Sequence, residues 1–200
     1  MNTMSLKRKS VGILNKLGLV IAISLLAQSC TGQSVWESSV VKGKTSTFNC
    51  QNLENKIHIT NINYKDPRET RIQYDNNRLD FSYVSIISHE DFLEAFKHSF
   101  TDSRIAQLAE VNDFVSMVIH VDEKGQILGI YFTLDPSTTI IPEELELFEK
   151  EVFTRVKFEV IGKKVDDLIF HSVYFRIHFN EVQNGELRMV RGSVKLKNRY

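Results

Sequence analysis

Cysteine and proline are scarce in this chain of 200 residues, which has two cysteines and three prolines. The chain has no C-x-x-C pair and no H-E-x-x-H motif, so the usual ligand spacings of zinc sites are missing. Three prolines are too few for a stiff Pro-rich spacer. The longest apolar stretch, residues 17–27, is shorter than the roughly 20 residues that a membrane-spanning helix needs. These absences argue against a zinc module and against a helical membrane span.

Motifs of enzyme active sites are also missing. The chain contains no G-x-S-x-G, no G-x-x-x-x-G-K-[ST] phosphate loop and no G-x-G-x-x-G. His120, His178 and Asp122 could form a weak metal site if the fold brought them together, but a solvated sheet face is the preferred interpretation. We therefore predict no catalytic residue, no metal ligand and no cofactor. The alternative is a periplasmic ligand-binding or hydrolytic domain with a His-bearing cleft.

Charge is balanced over the whole chain but not along it. The sequence has 25 basic and 25 acidic residues, and residues 1–29 contain four of the basic residues and no acid. The remainder therefore has 21 basic against 25 acidic residues, a net charge of −4. A nucleic-acid-binding protein would need a basic face, so we predict no nucleic-acid partner.

The start of the sequence has the layout of an export signal. Basic residues come first, the apolar stretch 17–27 follows, and small and polar residues end the segment. The end of the stretch, Ala27-Gln28-Ser29-Cys30, resembles the lipobox of bacterial lipoproteins. In that family the cysteine thiol receives a diacylglycerol and the peptide is cleaved before the cysteine. The resemblance implies a signal peptide at 1–29, lipidation of Cys30 and a membrane partner through the lipid.

Two questions about this anchor stay open in the sequence. Cys30 could instead form a disulfide with Cys50, the only other cysteine, in a secreted or periplasmic protein. The residue after Cys30 is Thr31, and lipoproteins without an acidic residue there tend to move to the outer membrane. We expect an outer-membrane lipoprotein that faces the periplasm.

Three further segments follow the signal. Residues 30–54 are predicted to contain the lipidated cysteine and a flexible tether, because 31–47 are rich in Ser, Thr and Gly and have no clear period. Residues 55–113 are predicted to hold strands at 56–64, 71–74 and 79–87, followed by two short helices. The first of these helices begins with a capping box at Ser88.

The clearest pattern lies in residues 114–200. Apolar residues alternate with others on both sides of a turn at 123–125, which predicts a β-hairpin. Pro142 starts a helix with an apolar stripe, and its glutamates, Glu149 among them, are predicted to face water. A strand at 169–179 follows, and Asn184-Gly185 predicts a second hairpin that returns at 186–190. The sequence thus predicts an α+β fold, a small antiparallel sheet with helices packed on one face.

This β-β-α-β order resembles the C-terminal domain of TonB proteins over about 65 residues. The resemblance rests on positions spread across the hairpin, the helix, the helix exit and the last strand: Val118, Val121, Asp122, Gly125, the helix from Pro142, Phe158, Gly162, Lys163 and Phe179. The family usually has Pro where Glu159 or Val160 stands here, and this chain lacks the spanning helix and spacer of TonB. The resemblance therefore implies the fold and a binding mode, in which a sheet edge docks a peptide, and not energy transduction. We expect an envelope protein or peptide partner at an edge formed by Tyr174, Arg176 and His178.

Overall fold

The protein is described by a computed structural model at residues 35–64, 83–161 and 171–187. Six antiparallel strands form the main sheet in the order β1-β2-β3-β6-β5-β8. Their bounds are β1 Val40–Lys42, β2 Thr47–Leu53, β3 Lys56–Asn61, β5 Phe114–Val121, β6 Ile127–Leu134 and β8 His171–His178. A second sheet pairs β4, Tyr83–Ile86, with β7, Phe158–Ile161. The helices are α1 His89–Ser99, α2 Asp102–Glu110, α3 Pro142–Arg155 and α4 Phe179–Asn184.

The β5–β6 hairpin forms where the alternating pattern predicts it. The side chain of Asp122 accepts hydrogen bonds from the backbone N–H groups of Lys124 and Gln126, both at 2.8 Å. Gly125 has φ +79°, and a Cβ there would clash with the carbonyl oxygen of Phe158. A glycine is therefore required both by the turn and by the close approach of β7.

The predicted helix starts at Ser88 and Pro142 are confirmed. The Ser88 hydroxyl accepts the N–H of Asp91 and caps α1. Pro142 is in the first turn of α3, and the Glu144 carboxylate accepts the N–H of Ile141 just before it. These caps satisfy backbone donors that have no partner within the helix.

Phenylalanine dominates the core between the helices and one face of the sheet. Phe96 of α1 lies 4.3 Å from Phe148 of α3, measured between ring centroids, and Phe92 lies 5.3 Å from Phe175 of β8. Phe179, at the start of α4, packs edge-on against Phe96. The predicted α+β class is confirmed: helices cover one face of an antiparallel sheet.

The flexible tether predicted within 30–54 is wrong for the residues that the structure describes. Trp36 is fully buried, and its indole N–H donates to the carbonyl of Ile140 at 2.8 Å. Strands β1 and β2 then add two members to the main sheet. The Ser- and Thr-rich composition suggested a linker, but alternate residues such as Val41 and Phe48 are buried and hold the segment in the core.

The hairpin predicted at Asn184-Gly185 is also wrong. Gly185 has φ +70° and ends helix α4, and the N–H of Glu186 donates back to the carbonyl of Glu181. A left-handed glycine serves a helix C-terminus as well as a hairpin turn, so the dipeptide does not distinguish the two. Glu186 and Leu187 belong to no strand, and 188–190 lie outside the described residues.

Candidate strand-binding edge

Strand β8 forms one end of the main sheet and pairs with β5 over its whole length, from Phe114 opposite His178 to Val121 opposite His171. In the same register, the N–H of Phe179 donates to the carbonyl of Asp113 directly opposite. Hydrogen-bonded and non-bonded pairs alternate along an antiparallel ladder. The backbone groups of 171, 173, 175 and 177 therefore face β5. Those of 172, 174, 176 and 178 face away from it.

An independent hydrogen bond at the far side of the sheet gives the same alternation. The N–H of Ile62 donates to the carbonyl of Thr47, which lies opposite in the β2–β3 register. The residue pairs between β3 and β6 and between β6 and β5 extend this alternation across the sheet. The backbone groups of the odd-numbered residues of β5 again face β8. Within the described ranges, no strand pairs with the outer side of β8, although β4 comes close to β8.

The predicted edge residues Tyr174, Arg176 and His178 direct their backbone groups to this outer side. Arg176 Nε donates to the Ser116 hydroxyl at 3.1 Å, and the Tyr174 hydroxyl lies 3.4 Å from the same oxygen. The guanidinium of Arg176 lies 4.8 Å above the ring of Phe114, and the His178 ring lies 5.3 Å from that ring. Neighbouring β5 side chains thus hold the edge side chains on the sheet face that is opposite to the helices.

The sheet register does not bring His120 and His178 together. His120 lies opposite Ser172, whereas His178 lies opposite Phe114, six residues farther along β5. At about 3.4 Å per residue the separation is about 20 Å, too far for a shared ion. Among the described residues, no group of three or more His, Cys, Asp or Glu side chains could hold a metal ion.

A cavity of about 270 Å³ lies at the His178 end of the edge strand. Six polar residues line it: Asn112, His178, Asn180, Glu181, Asn184 and Glu186. This lining contains a histidine, two carboxylates and three asparagines, and no Ser, Thr or Cys.

Glu149 is the acidic residue that the sequence interpretation misplaced. It was predicted to face water, but only 3% of its surface is exposed, and it lies between α3 and the sheet. One carboxylate oxygen accepts a hydrogen bond from the Asn61 side chain at 2.8 Å, and the other has no hydrogen-bond partner in the described structure. Burial raises the pKa of Glu149 to about 7; the Asn61 hydrogen bond opposes this rise and the charge of Glu146 adds to it.

We predict that Glu149→Gln removes a pH dependence of stability. The folded protein holds a proton on Glu149 that the unfolded chain releases near pH 4.5, so its stabilising contribution is present below that pH and is lost as pH rises through about 7. At pH 8 the variant should be more stable than wild type by about 3 kcal/mol, since glutamine can still accept the Asn61 hydrogen bond. Urea unfolding from pH 4 to pH 8 measures this difference. Glu143→Gln, on the exposed side of α3, is the control, and stability curves for wild type and Glu149→Gln that stay parallel over this range would contradict the assignment.

Glu146 of α3 connects this helix to the β1–β2 loop through hydrogen bonds. Its carboxylate accepts the backbone N–H groups of Lys44, Thr45 and Ser46 as well as the Thr45 hydroxyl. Partial burial acts to raise the pKa of Glu146, but these hydrogen bonds together outweigh it and lower the pKa. The contact attaches the first two strands to the helix layer.

The structure describes Cys50 but not Cys30. Cys50 is buried on β2, and burial raises the pKa of its thiol to about 11, so at neutral pH it is protonated and poorly nucleophilic. Cys30 and the signal-like segment 1–29 lie outside the described residues. None of the helices in the described ranges combines the length and apolar character that a membrane crossing requires.

Comparisons with known proteins support the fold and assign no function. No protein-family model and no curated protein matches the sequence. A solved structure, a DUF5043 family protein from Bacteroides uniformis, is similar with a TM-score of 0.54 and 12% sequence identity. The similarity covers 72% of this chain and 93% of that chain. At this identity it shows that the two chains share an α+β fold.

Proposed function

We propose that this chain is a non-enzymatic, lipid-anchored protein of the cell envelope that binds an extended protein or peptide segment by adding a strand at β8. In this proposal the lipid on Cys30 holds the protein at the outer membrane, and the domain faces the periplasm. The observation that carries the binding mode is the alternation of backbone groups along β8. Ser172, Tyr174 and Arg176 direct their N–H and C=O groups away from the sheet, and His178, the N-cap of α4, directs its N–H the same way.

The two ends of the sheet differ in a way that favours β8 as the binding edge. Strand β1, at the other end, has three residues, whereas β8 has eight and pairs with β5 without an irregularity. A long, regular edge offers several backbone hydrogen bonds to an incoming strand, while a very short one offers few. The resemblance to the TonB C-terminal domain suggests the same mode of docking.

A single proline substitution tests the proposal. Extended octapeptides that bind the purified full chain would first be isolated from a random display library. In Tyr174→Pro the outward N–H is lost, while the ladder to β5 keeps its donors, so the sheet should fold. We expect peptide affinity, measured by fluorescence anisotropy, to fall about tenfold, the effect of one lost hydrogen bond.

Two control variants separate the backbone effect from other causes. Tyr174→Ala removes the side chain and keeps the N–H. Val40→Pro places a proline at the opposite edge of the sheet, on β1. The N–H of Cys50 donates to the carbonyl of Ser39, so the neighbouring N–H of Val40 faces outward and its loss leaves the sheet hydrogen bonds intact. Circular dichroism and melting curves check folding. Failure to isolate any binding peptide, or unchanged affinity in a folded Tyr174→Pro variant, would count against strand addition at β8.

A further inference from the structure

The cavity at the end of β8 has a size and position that fit one side chain of a bound strand. Its volume of about 270 Å³ is below the roughly 300–1,000 Å³ of cavities that enclose whole small ligands. Asn112, in the turn after α2, forms one part of the wall, and residues of α4 and the turn after it form the rest. His178 belongs both to this wall and to the open edge, because it is the last residue of β8.

The lining is rich in hydrogen-bond acceptors. Two carboxylates and three Asn side chains line the cavity, and no Lys or Arg is among the six lining residues. Glu181 Oε2 and His178 Nδ1 are buried and have no hydrogen-bond partner in the described structure. A buried acceptor without a donor is destabilising, so both atoms would gain from a ligand that brings N–H groups. In the neutral tautomer protonated at Nε2, His178 Nδ1 is such an acceptor.

The charge and spread of these acceptors restrict the class of ligand. Two carboxylates disfavour an anion. The described residues contain no group of three His, Cys, Asp or Glu side chains that could bind one metal ion together, so the lining does not favour a metal. An ammonium or guanidinium group carries positive charge and several N–H donors that can reach separate acceptors.

We infer that this cavity receives the side chain of a lysine or arginine from the strand bound at β8. The inference rests on the proposed function, since strand addition is what delivers the side chain. All strand pairs of the main sheet are antiparallel, and an antiparallel partner begins near the end of β8. The basic residue therefore lies near the N-terminal end of the partner segment.

The cavity can be tested without any peptide. n-Butylguanidinium would be titrated into the purified full chain and compared with n-butanol, a neutral molecule with the same alkyl chain. NMR signals of the side-chain amides of Asn112, Asn180 and Asn184 report binding. We expect saturable shifts with the cation alone, an affinity roughly tenfold lower in Glu181→Gln, and no change in Glu159→Gln, which removes an exposed charge on β7. Equal responses to the cation and the alcohol would overturn the inference.

The peptides isolated by display then separate this inference from the proposed function. Peptides selected on wild type should be enriched in Lys or Arg near their N-terminus, and those selected on Glu181→Gln should lose the enrichment. If peptides bind, lose affinity in Tyr174→Pro and show no basic preference, the cavity assignment is wrong and strand addition stands. If the cation binds but no peptide does, strand addition is wrong, and with it the claim that a bound strand delivers the side chain.

Discussion

Replacing Trp36 by alanine is expected to lower the free energy of unfolding by about 3–5 kcal/mol, the usual cost of truncating a buried aromatic side chain. Trp36 is fully buried, lies edge-on against Phe48 at 6.2 Å, and donates its indole N–H to Ile140 just before α3. The substitution would leave both a cavity and a buried carbonyl without this donor. Denaturant unfolding followed by circular dichroism measures the loss.

Two further variants distinguish the core role of Trp36 from a merely local effect. Trp36→Phe keeps most of the packing and removes the indole N–H, so it should cost less than alanine. Val35→Ala alters the neighbouring side chain, which is half exposed, and should have little effect. A Trp36→Ala protein with wild-type stability would show that residues 35–53 are not part of the cooperative unit, as the predicted tether would require.

Replacing Cys30 by alanine is expected to abolish fatty-acid labelling of the protein in cells. The reason is chemical: the lipobox reaction joins a diacylglycerol to a thiol, and alanine has none. A triacylated cysteine would anchor the chain without a membrane helix, since each buried methylene contributes about 0.8 kcal/mol and stable anchoring takes more than one chain. Metabolic labelling with a clickable fatty acid, followed by gel analysis, measures incorporation.

Cys50→Ala is the matched control for the lipidation experiment. Its thiol is buried on β2 and should not react with the lipid-transfer enzyme, so the label should persist. The same pair of variants tests the rival disulfide. Equal labelling of wild type and Cys30→Ala would contradict lipidation. A shift in non-reducing gel mobility that both substitutions remove would favour the Cys30–Cys50 bond.

Regular patterns of local sequence predicted much of the fold. The alternation on both sides of Gly125 predicted the β5–β6 hairpin, because one face of an antiparallel strand pair must be apolar. Ser88 and Pro142 predicted helix starts, because the caps act through residues three positions away or fewer. In each case the physical cause lies within a few residues of the signal.

Features that depend on distant contacts were not predicted. Trp36 is held by the Ile140 carbonyl, 104 residues away, and nothing in the local composition of 31–47 indicates that contact. Glu149 belongs to a row of glutamates, and its burial and its hydrogen bond with the Asn61 amide across the core follow from contacts that the row does not reveal. The edge residues Tyr174, Arg176 and His178 were predicted to share a strand face, but their outward backbone groups follow from the register with β5.

Amide hydrogen exchange along β8 in the free protein tests whether this edge can accept another strand, and it needs no partner and no substitution. We predict fast exchange at Ser172, Tyr174 and Arg176, whose N–H groups face outward. We predict slow exchange at Val173, Phe175 and Ile177, whose N–H groups are bonded to β5. NMR detection resolves the individual amides. Uniform protection of all six would show that another part of the protein covers the edge, and would contradict a strand-binding site at β8.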